Sequence, residues 1–187
     1  MTPDEELIQR SKQNDRKAQA EIFNKYSRKL YGLCLRYSKN ADDAQDLLQD
    51  GFIKVFEKID GYRGDSSLET WMTRLFLNLA ITKIRQKKRQ PGTVELYDDL
   101  SEETEEEFDD TLESQLFNDP SAGVERVLTL IQQLPDKYQM AINMYAIDGL
   151  SHKEIAELTG VSEGTSKSHL SRARKLLKDL IEKPRSA

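Results

Sequence analysis

The stretch Ser151-His152-Lys153-Glu154-Ile155-Ala156-Glu157-Leu158-Thr159-Gly160-Val161-Ser162 decides how the C-terminal part of this chain is read. Ser151 is placed to cap a helix, and Glu154 is placed to return a hydrogen bond to the Ser151 amide, the reciprocal capping box that satisfies two orphan donors of a helix start. The helix it opens runs to Thr159, where Gly160 supplies the positive φ that ends it. Ser162 then caps a last helix through about Glu182, with Leu170, Ala173, Leu176, Leu177 and Leu180 facing inward. Helix, glycine turn and second helix at this spacing have the form of a helix-turn-helix: Ala156 must be small where the second helix crosses it, and Val161 fills the wedge between the two. A second helix of this kind lies in the major groove of duplex DNA with its N-terminal part against the bases. Its outward residues are Lys167, Ser168, His169, Ser171, Arg172 and Lys175. Lys167 and Arg172 can donate to guanine or phosphate, Ser168 and Ser171 to base edges or backbone, and His169 from whichever nitrogen carries its proton. Cations near a helix C-terminus also suit its dipole, which is an equal account of Arg174, Lys175 and Lys178 but a weaker one for Lys167 and Arg172, which sit early on the helix.

Moving upstream, Val124, Val127, Leu128, Ile131 and Leu134 form one helical face, Pro135 starts the next helix, and Met140, Ala141, Met144 and Tyr145 are expected to continue the core. Four helices would then make a domain of residues 121–187. Before it, from Thr93 to Pro120, there is no Lys or Arg, while twelve carboxylates crowd the interval. Such a density of like charge opposes compaction, so residues 92–120 read as a flexible acidic linker, with at most a short helix near Leu112 to Phe117. The chain's net charge of -5 is misleading for the same reason, since without those twelve charges the remainder carries +7. The basic groups gather at Lys83 to Arg89 and from Lys167 to Lys183, as two separate phosphate-facing surfaces would.

Residues 1–91 read as a second helical domain. A short helix over Glu5 to Lys12 has Leu7 and Ile8 inward, and Arg16 to Tyr37 carries Ala20, Ile22, Phe23, Tyr26, Leu30, Leu33 and Cys34 at spacings of three and four. Asn40 caps Ala41 to Ile59, whose inward stripe is Ala44, Leu47, Leu48, Gly51, Phe52, Val55, Phe56 and Ile59. Asp60 to Ser67 breaks the periodicity with two glycines, and Ser67 caps a helix from Leu68 to about Lys88. The fold class expected is therefore all-α: two small helical domains joined by a flexible acidic linker, the second with a helix-turn-helix.

Three constellations in the first domain carry chemistry. Lys83, Arg85, Lys87, Lys88 and Arg89 exceed what capping a helix end requires, and a nucleic-acid backbone is the partner they suit. The loop Tyr62, Arg63, Gly64, Asp65, Ser66 sets an aromatic and an arginine among small donors and could hold an unstacked base, whereas Trp71 and Phe76 read as core. On the polar face of the helix after Asn40, Asp46, Gln49 and Asp50 are either a solvated surface or a dock for a basic protein partner.

Taken together, these blocks resemble a bacterial RNA polymerase sigma factor of the extracytoplasmic-function group. Asp43-Ala44-Gln45-Asp46-Leu47-Leu48-Gln49-Asp50-Gly51-Phe52-Ile53-Lys54-Val55-Phe56 is similar to the family's core-binding segment in region two. The resemblance implies that Asp46, Gln49 and Asp50 meet the clamp coiled coil of the beta-prime subunit. Tyr62-Arg63-Gly64-Asp65-Ser66-Ser67-Leu68-Glu69-Thr70-Trp71-Met72, followed by Asn78, resembles the part that recognises and opens the minus-ten promoter element. It implies that the loop takes a flipped-out base of the non-template strand and that Asn78, Lys83, Arg85 and Arg89 face that strand. Leu134-Pro135 and Ser151 to Leu177 resemble region four, which places Lys167, Ser168, His169, Ser171 and Arg172 against the minus-thirty-five element and Leu134 to Met144 against the flap of the beta subunit. Thr82, Ser166 and His169 depart from the residues usual at those positions, which leaves the promoter sequence open. An anti-sigma factor is a further partner that the resemblance implies.

Other classes fare worse. Two histidines, no phosphate-binding glycine-lysine loop and no acid pair in a cleft-forming context argue against an enzyme, and neither a metal nor a cofactor is expected. The lone Cys34, in the apolar run Leu30 to Leu35, reads as a buried small hydrophobe; it fits a reducing, cytoplasmic setting. The N-terminus lacks a signal peptide's basic and apolar segments, and no apolar stretch approaches the roughly 20 residues a bilayer crossing needs, so no membrane insertion is expected. The competing reading is a helix-turn-helix regulator that binds an operator independently of polymerase, with a ligand pocket or dimer interface in residues 1–90.

Overall fold

The computed structural model describes residues 3–88 and 124–182; among them there is no β-strand, and the all-α class expected from the sequence is what the chain adopts. The expected acidic linker, the short helix near Leu112 to Phe117 and Arg89 lie outside the described residues. The chain divides into two compact units, Met1–Lys83 and Ile84–Ala187.

In the first unit, α1 (Pro3–Lys12) begins with Asp4, Glu5 and Glu6, charges that suit a helix N-terminus. Asn14, at φ 60°, turns the chain, and Asp15 caps α2 (Arg16–Tyr37) by accepting from the amides of Lys17 at 2.8 Å and Ala18 at 3.4 Å. Arg10 Nε donates to the same carboxylate at 2.8 Å, so α1 is tied to the start of α2. Further along, Asp4 pairs with Lys25 and accepts from the Tyr26 hydroxyl at 3.0 Å. Asn40 caps α3 (Ala41–Lys58), its side chain accepting from the Asp43 amide at 2.7 Å. A 3-10 turn (Ile59–Gly61) leads to the loop before α4 (Leu68–Lys88), which Ser67 caps through the Thr70 amide at 3.1 Å.

The core of this unit is a cluster of rings. Phe52 lies 4.6 Å from Phe23 and 5.6 Å, edge-on, from Phe76, while Phe76 is itself fully buried. Gly51 permits this arrangement: a Cβ there would stand 2.2 Å from Phe76 Cε1, inside any tolerable contact. Two expected inward residues are not inward. Ala20 is exposed and Phe23 is 39% exposed, because the buried stripe of α2 runs through Ala18, Ile22, Tyr26, Leu30, Leu33 and Tyr37. At about 100° per residue, position 20 falls on the far side of that stripe and position 23 at its edge. Phe23 still covers Phe52 from the rim. Cys34 is completely buried, and burial pushes its thiol up to about 12.

The second unit holds α5 (Val124–Gln132), α6 (Asp136–Ile142), α7 (His152–Thr159) and α8 (Glu163–Glu182). Val127, Ile131, Leu134, Tyr138, Ala141, Ile142, Leu170, Ala173 and Leu177 form its core, so α8 closes over α5 and α6 with the inward face expected of it. Between α6 and α7 the backbone widens into a π turn (Asn143–Ile147), where Met144 is buried but Tyr145, expected in the core, is 36% exposed. The extra residue per turn rotates successive side chains off the α-helical stripe, which is why the periodicity misplaced it.

Candidate nucleic-acid interface

The helix-turn-helix forms as its capping residues dictate. Ser151 Oγ accepts from the Glu154 amide at 3.3 Å, and the Glu154 carboxylate accepts from the Ser151 amide at 2.9 Å. Gly160 sits at φ 74° and donates its amide to the Ala156 carbonyl at 2.8 Å. The Thr165 amide then donates to Ser162 Oγ at 3.0 Å, fixing the first turn of α8. Ile155 is the fully inward residue of α7, whereas Ala156 and Val161 are half-buried.

On α8, Lys167 and Ser168 are exposed, and Ser171 and Arg172 are half-buried at the edge of the same face. His169 is also half-buried, with its ring edge-on to Tyr138 at 5.8 Å, so one side of the imidazole packs against α6. Beneath this surface lies a layer that the sequence did not disclose. Ser166, 1% exposed, shares a 3.0 Å hydrogen bond with His152 Nδ1, and the His152 ring stacks on Tyr145 at 4.7 Å and 19°. Arg174 covers Tyr145 at 5.8 Å, a cation over an aromatic face. Burial, then the cations Lys167 and Arg174, hold His152 below its ordinary pKa, against an opposing pull from Glu163. His152, favoured in its neutral form, therefore ties the start of α7 to Ser166 of α8.

In the first unit, Asp46, Gln49 and Asp50 are exposed along one face of α3, while Leu47, Leu48, Gly51 and Phe52 are buried on the other. Ile53, one turn beyond Gln49 and Asp50, is 58% exposed and adds an apolar contact to that polar strip; its neighbours on the buried stripe hid it from periodicity arguments. Asp50 is paired with Lys83 of α4 at 2.5 Å. Asn78 is exposed on α4 and its carbonyl accepts from the Thr82 hydroxyl at 2.7 Å, while Arg85, on the last turns of α4 that belong to the second unit, is exposed as well.

The loop before α4 is closed on itself. The Tyr62 hydroxyl donates to the Ser66 carbonyl at 2.5 Å, Gly64 adopts φ 84°, and Arg63, Gly64 and Asp65 between them are exposed. Tyr62 packs edge-on against Trp71 at 5.3 Å. Trp71, read from the sequence as core, is only half-buried and forms one wall beside the loop. Among the described residues no group of three or more His, Cys, Asp or Glu side chains is arranged to hold a metal, and no helix is long and apolar enough to cross a membrane.

Both units match known families in the expected order. Residues 22–90 match Sigma-70 region 2, and residues 124–177 match Sigma-70, region 4. The chain is 32% identical over 189 residues to the ECF RNA polymerase sigma-E factor of Haemophilus influenzae, covering 96% of this chain and 95% of that one. It is 34% identical over 180 residues to the ECF RNA polymerase sigma factor SigW of Bacillus subtilis, covering 91% and 92%. In fold it is similar to the sigma factor RpoE of Bartonella quintana, solved with the anti-sigma factor NepR, at a TM-score of 0.55 and 22% identity over 89% of this chain and 98% of that one. With two sigma regions in order and whole-length relatives above 30% identity, the chain belongs to the extracytoplasmic-function group of RNA polymerase sigma factors.

Proposed function

We propose that this sigma factor binds core RNA polymerase, directs it to promoters and helps to open the minus-ten region, with residues 1–91 as region two, residues 121–187 as region four and residues 92–120 as the connection. Asp46, Gln49 and Asp50, extended by Ile53, meet the beta-prime clamp coiled coil. Lys167, Ser168, His169, Ser171 and Arg172 face the minus-thirty-five element, and Leu134 to Met144 faces the beta flap. Tyr62 to Ser66 receives a flipped base, while Asn78, Lys83, Arg85 and Arg89 follow the strand backbone. The observation that carries this reading is the presence in one chain of a helix-turn-helix whose second helix exposes Lys167 and Ser168 and a separate unit whose loop is closed by the Tyr62–Ser66 bond and packs on Trp71.

Two modest contacts gain strength when both lie on one rigid partner, because the second becomes intramolecular. Polymerase supplies that rigidity, so the spacing of the two promoter elements becomes part of what is read. Strand opening needs no hydrolysis by this chain: the cost of unstacking a base is offset by stacking and backbone charge. The factor is thus not an enzyme, works in the cytoplasm with promoter DNA, and is held by an anti-sigma factor, as its Bartonella structural neighbour is. Run-off transcription from genomic fragments with core polymerase tests the proposal. Promoter-specific transcripts that require the protein support it; tight operator binding without polymerase dependence would replace it with the independent regulator.

A further inference from the structure

The loop from Tyr62 to Ser66 is held by a residue that the proposed function leaves unused. Lys12, the last residue of α1, sends its ammonium to the Tyr62 carbonyl at 3.0 Å, joining positions 50 residues apart in sequence. Cations commonly end helices, but this one donates to a carbonyl of the loop. With that bond, every handle of Tyr62 is engaged. Its amide donates to the Ile59 carbonyl at 3.1 Å, its carbonyl accepts from Lys12, its ring lies against Trp71 and its hydroxyl closes on Ser66. Burial first, then the nearby Asp4, Asp65 and Glu5, raises the Tyr62 hydroxyl above its ordinary pKa, so it stays protonated and remains a donor. Two of those acids belong to α1, which places that helix along the loop.

We infer that Lys12 is a positioning residue for base capture: by anchoring the Tyr62 carbonyl it sets the loop in its receiving shape before DNA arrives. This rests on the proposed capture of a base by the same loop. A loop already ordered loses less conformational freedom on binding, so the brace raises affinity without touching the nucleotide. Lys12 is half-buried at a helix end, so replacing it leaves the core intact.

The test uses the full chain, free and in complex with core polymerase, with Lys12→Met, which keeps the stem and removes the donor, and Lys12→Arg, which keeps a donor. Trp71 is the only tryptophan in the chain and touches Tyr62, so its fluorescence reports the loop without DNA. Affinity is read with a single-stranded probe carrying the non-template minus-ten sequence of a promoter recovered by run-off transcription. Lys12→Met is expected to shift Trp71 emission and to weaken probe binding about threefold to tenfold, the range set by one hydrogen bond, while Lys12→Arg stays near the native protein on both. Native emission and native affinity in Lys12→Met overturn the inference. So does lost affinity with native emission, which would make Lys12 a direct DNA contact. A shifted emission with unaltered probe binding overturns base capture by the loop and, with it, the positioning role, while the brace itself stands.

Discussion

Asp50 of α3 and Lys83 of α4 form an ion pair at 2.5 Å, joining two residues proposed to serve different partners, polymerase for the carboxylate and DNA for the ammonium. Their side chains are 50% and 34% exposed, so water screens the attraction strongly. A double-mutant cycle of Asp50→Ala and Lys83→Ala, followed by urea unfolding, is expected to give a coupling of about 0.2–1 kcal/mol. In transcription assays the two variants separate: Asp50→Ala weakens binding to core polymerase, and Lys83→Ala weakens promoter opening at saturating factor. Identical defects in both assays would contradict the assignment of the two faces.

Gly51 faces the ring of Phe76 with no room for a methyl group. Gly51→Ala is therefore expected to destabilise the first unit by about 1–3 kcal/mol, the usual cost of overpacking, despite the better helix propensity of alanine. Thermal unfolding followed by circular dichroism measures it, and a native midpoint would show that Phe76 has somewhere else to go.

The His152 layer predicts a dependence on pH. The folded state holds this imidazole below its ordinary value of 6.5, so folding favours the neutral form. The stabilisation is complete above the unfolded pKa and is lost as pH falls from there through the folded one. Denaturant unfolding of the full chain across this range should show stability falling toward acid, with His152→Asn removing that part of the slope. Ser166→Ala, which takes away the partner of Nδ1, should cost about 0.5–1.5 kcal/mol, the net worth of one part-buried hydrogen bond.

Lys167 and Arg172 are proposed to meet DNA at the edge of α8. If Lys167 contacts phosphate, Lys167→Ala lowers affinity for a minus-thirty-five duplex evenly across sequences and reduces the salt slope by about 1. Arg172→Ala, if it reads a base, costs about 1–3 kcal/mol and relaxes preference at one position. Filter binding of the full factor at several salt concentrations distinguishes the two roles.

Local hydrogen-bonding patterns were legible because the partners are close in the chain. Asn40, Ser67, Ser151 with Glu154, Gly160 and Ser162 all act where their spacing puts them. Periodicity placed most of the core but failed at Ala20 and Phe23, where the stripe is narrower than a list of apolar residues suggests, and at Tyr145, where a π turn breaks the α-helical phase. The contacts that shape the candidate surfaces were invisible for a different reason. Lys12 with Tyr62, Asp50 with Lys83, and His152 with Ser166 are chosen by how helices cross, and no rule of local spacing encodes that.

The complete enclosure of Cys34 has a physiological corollary. A sulfhydryl that is neither ionised near neutrality nor reachable by peroxide offers no direct chemical ear for oxidants. As this is the chain's sole cysteine, thiol-based control of the genes it switches on has to be exercised on a different molecule.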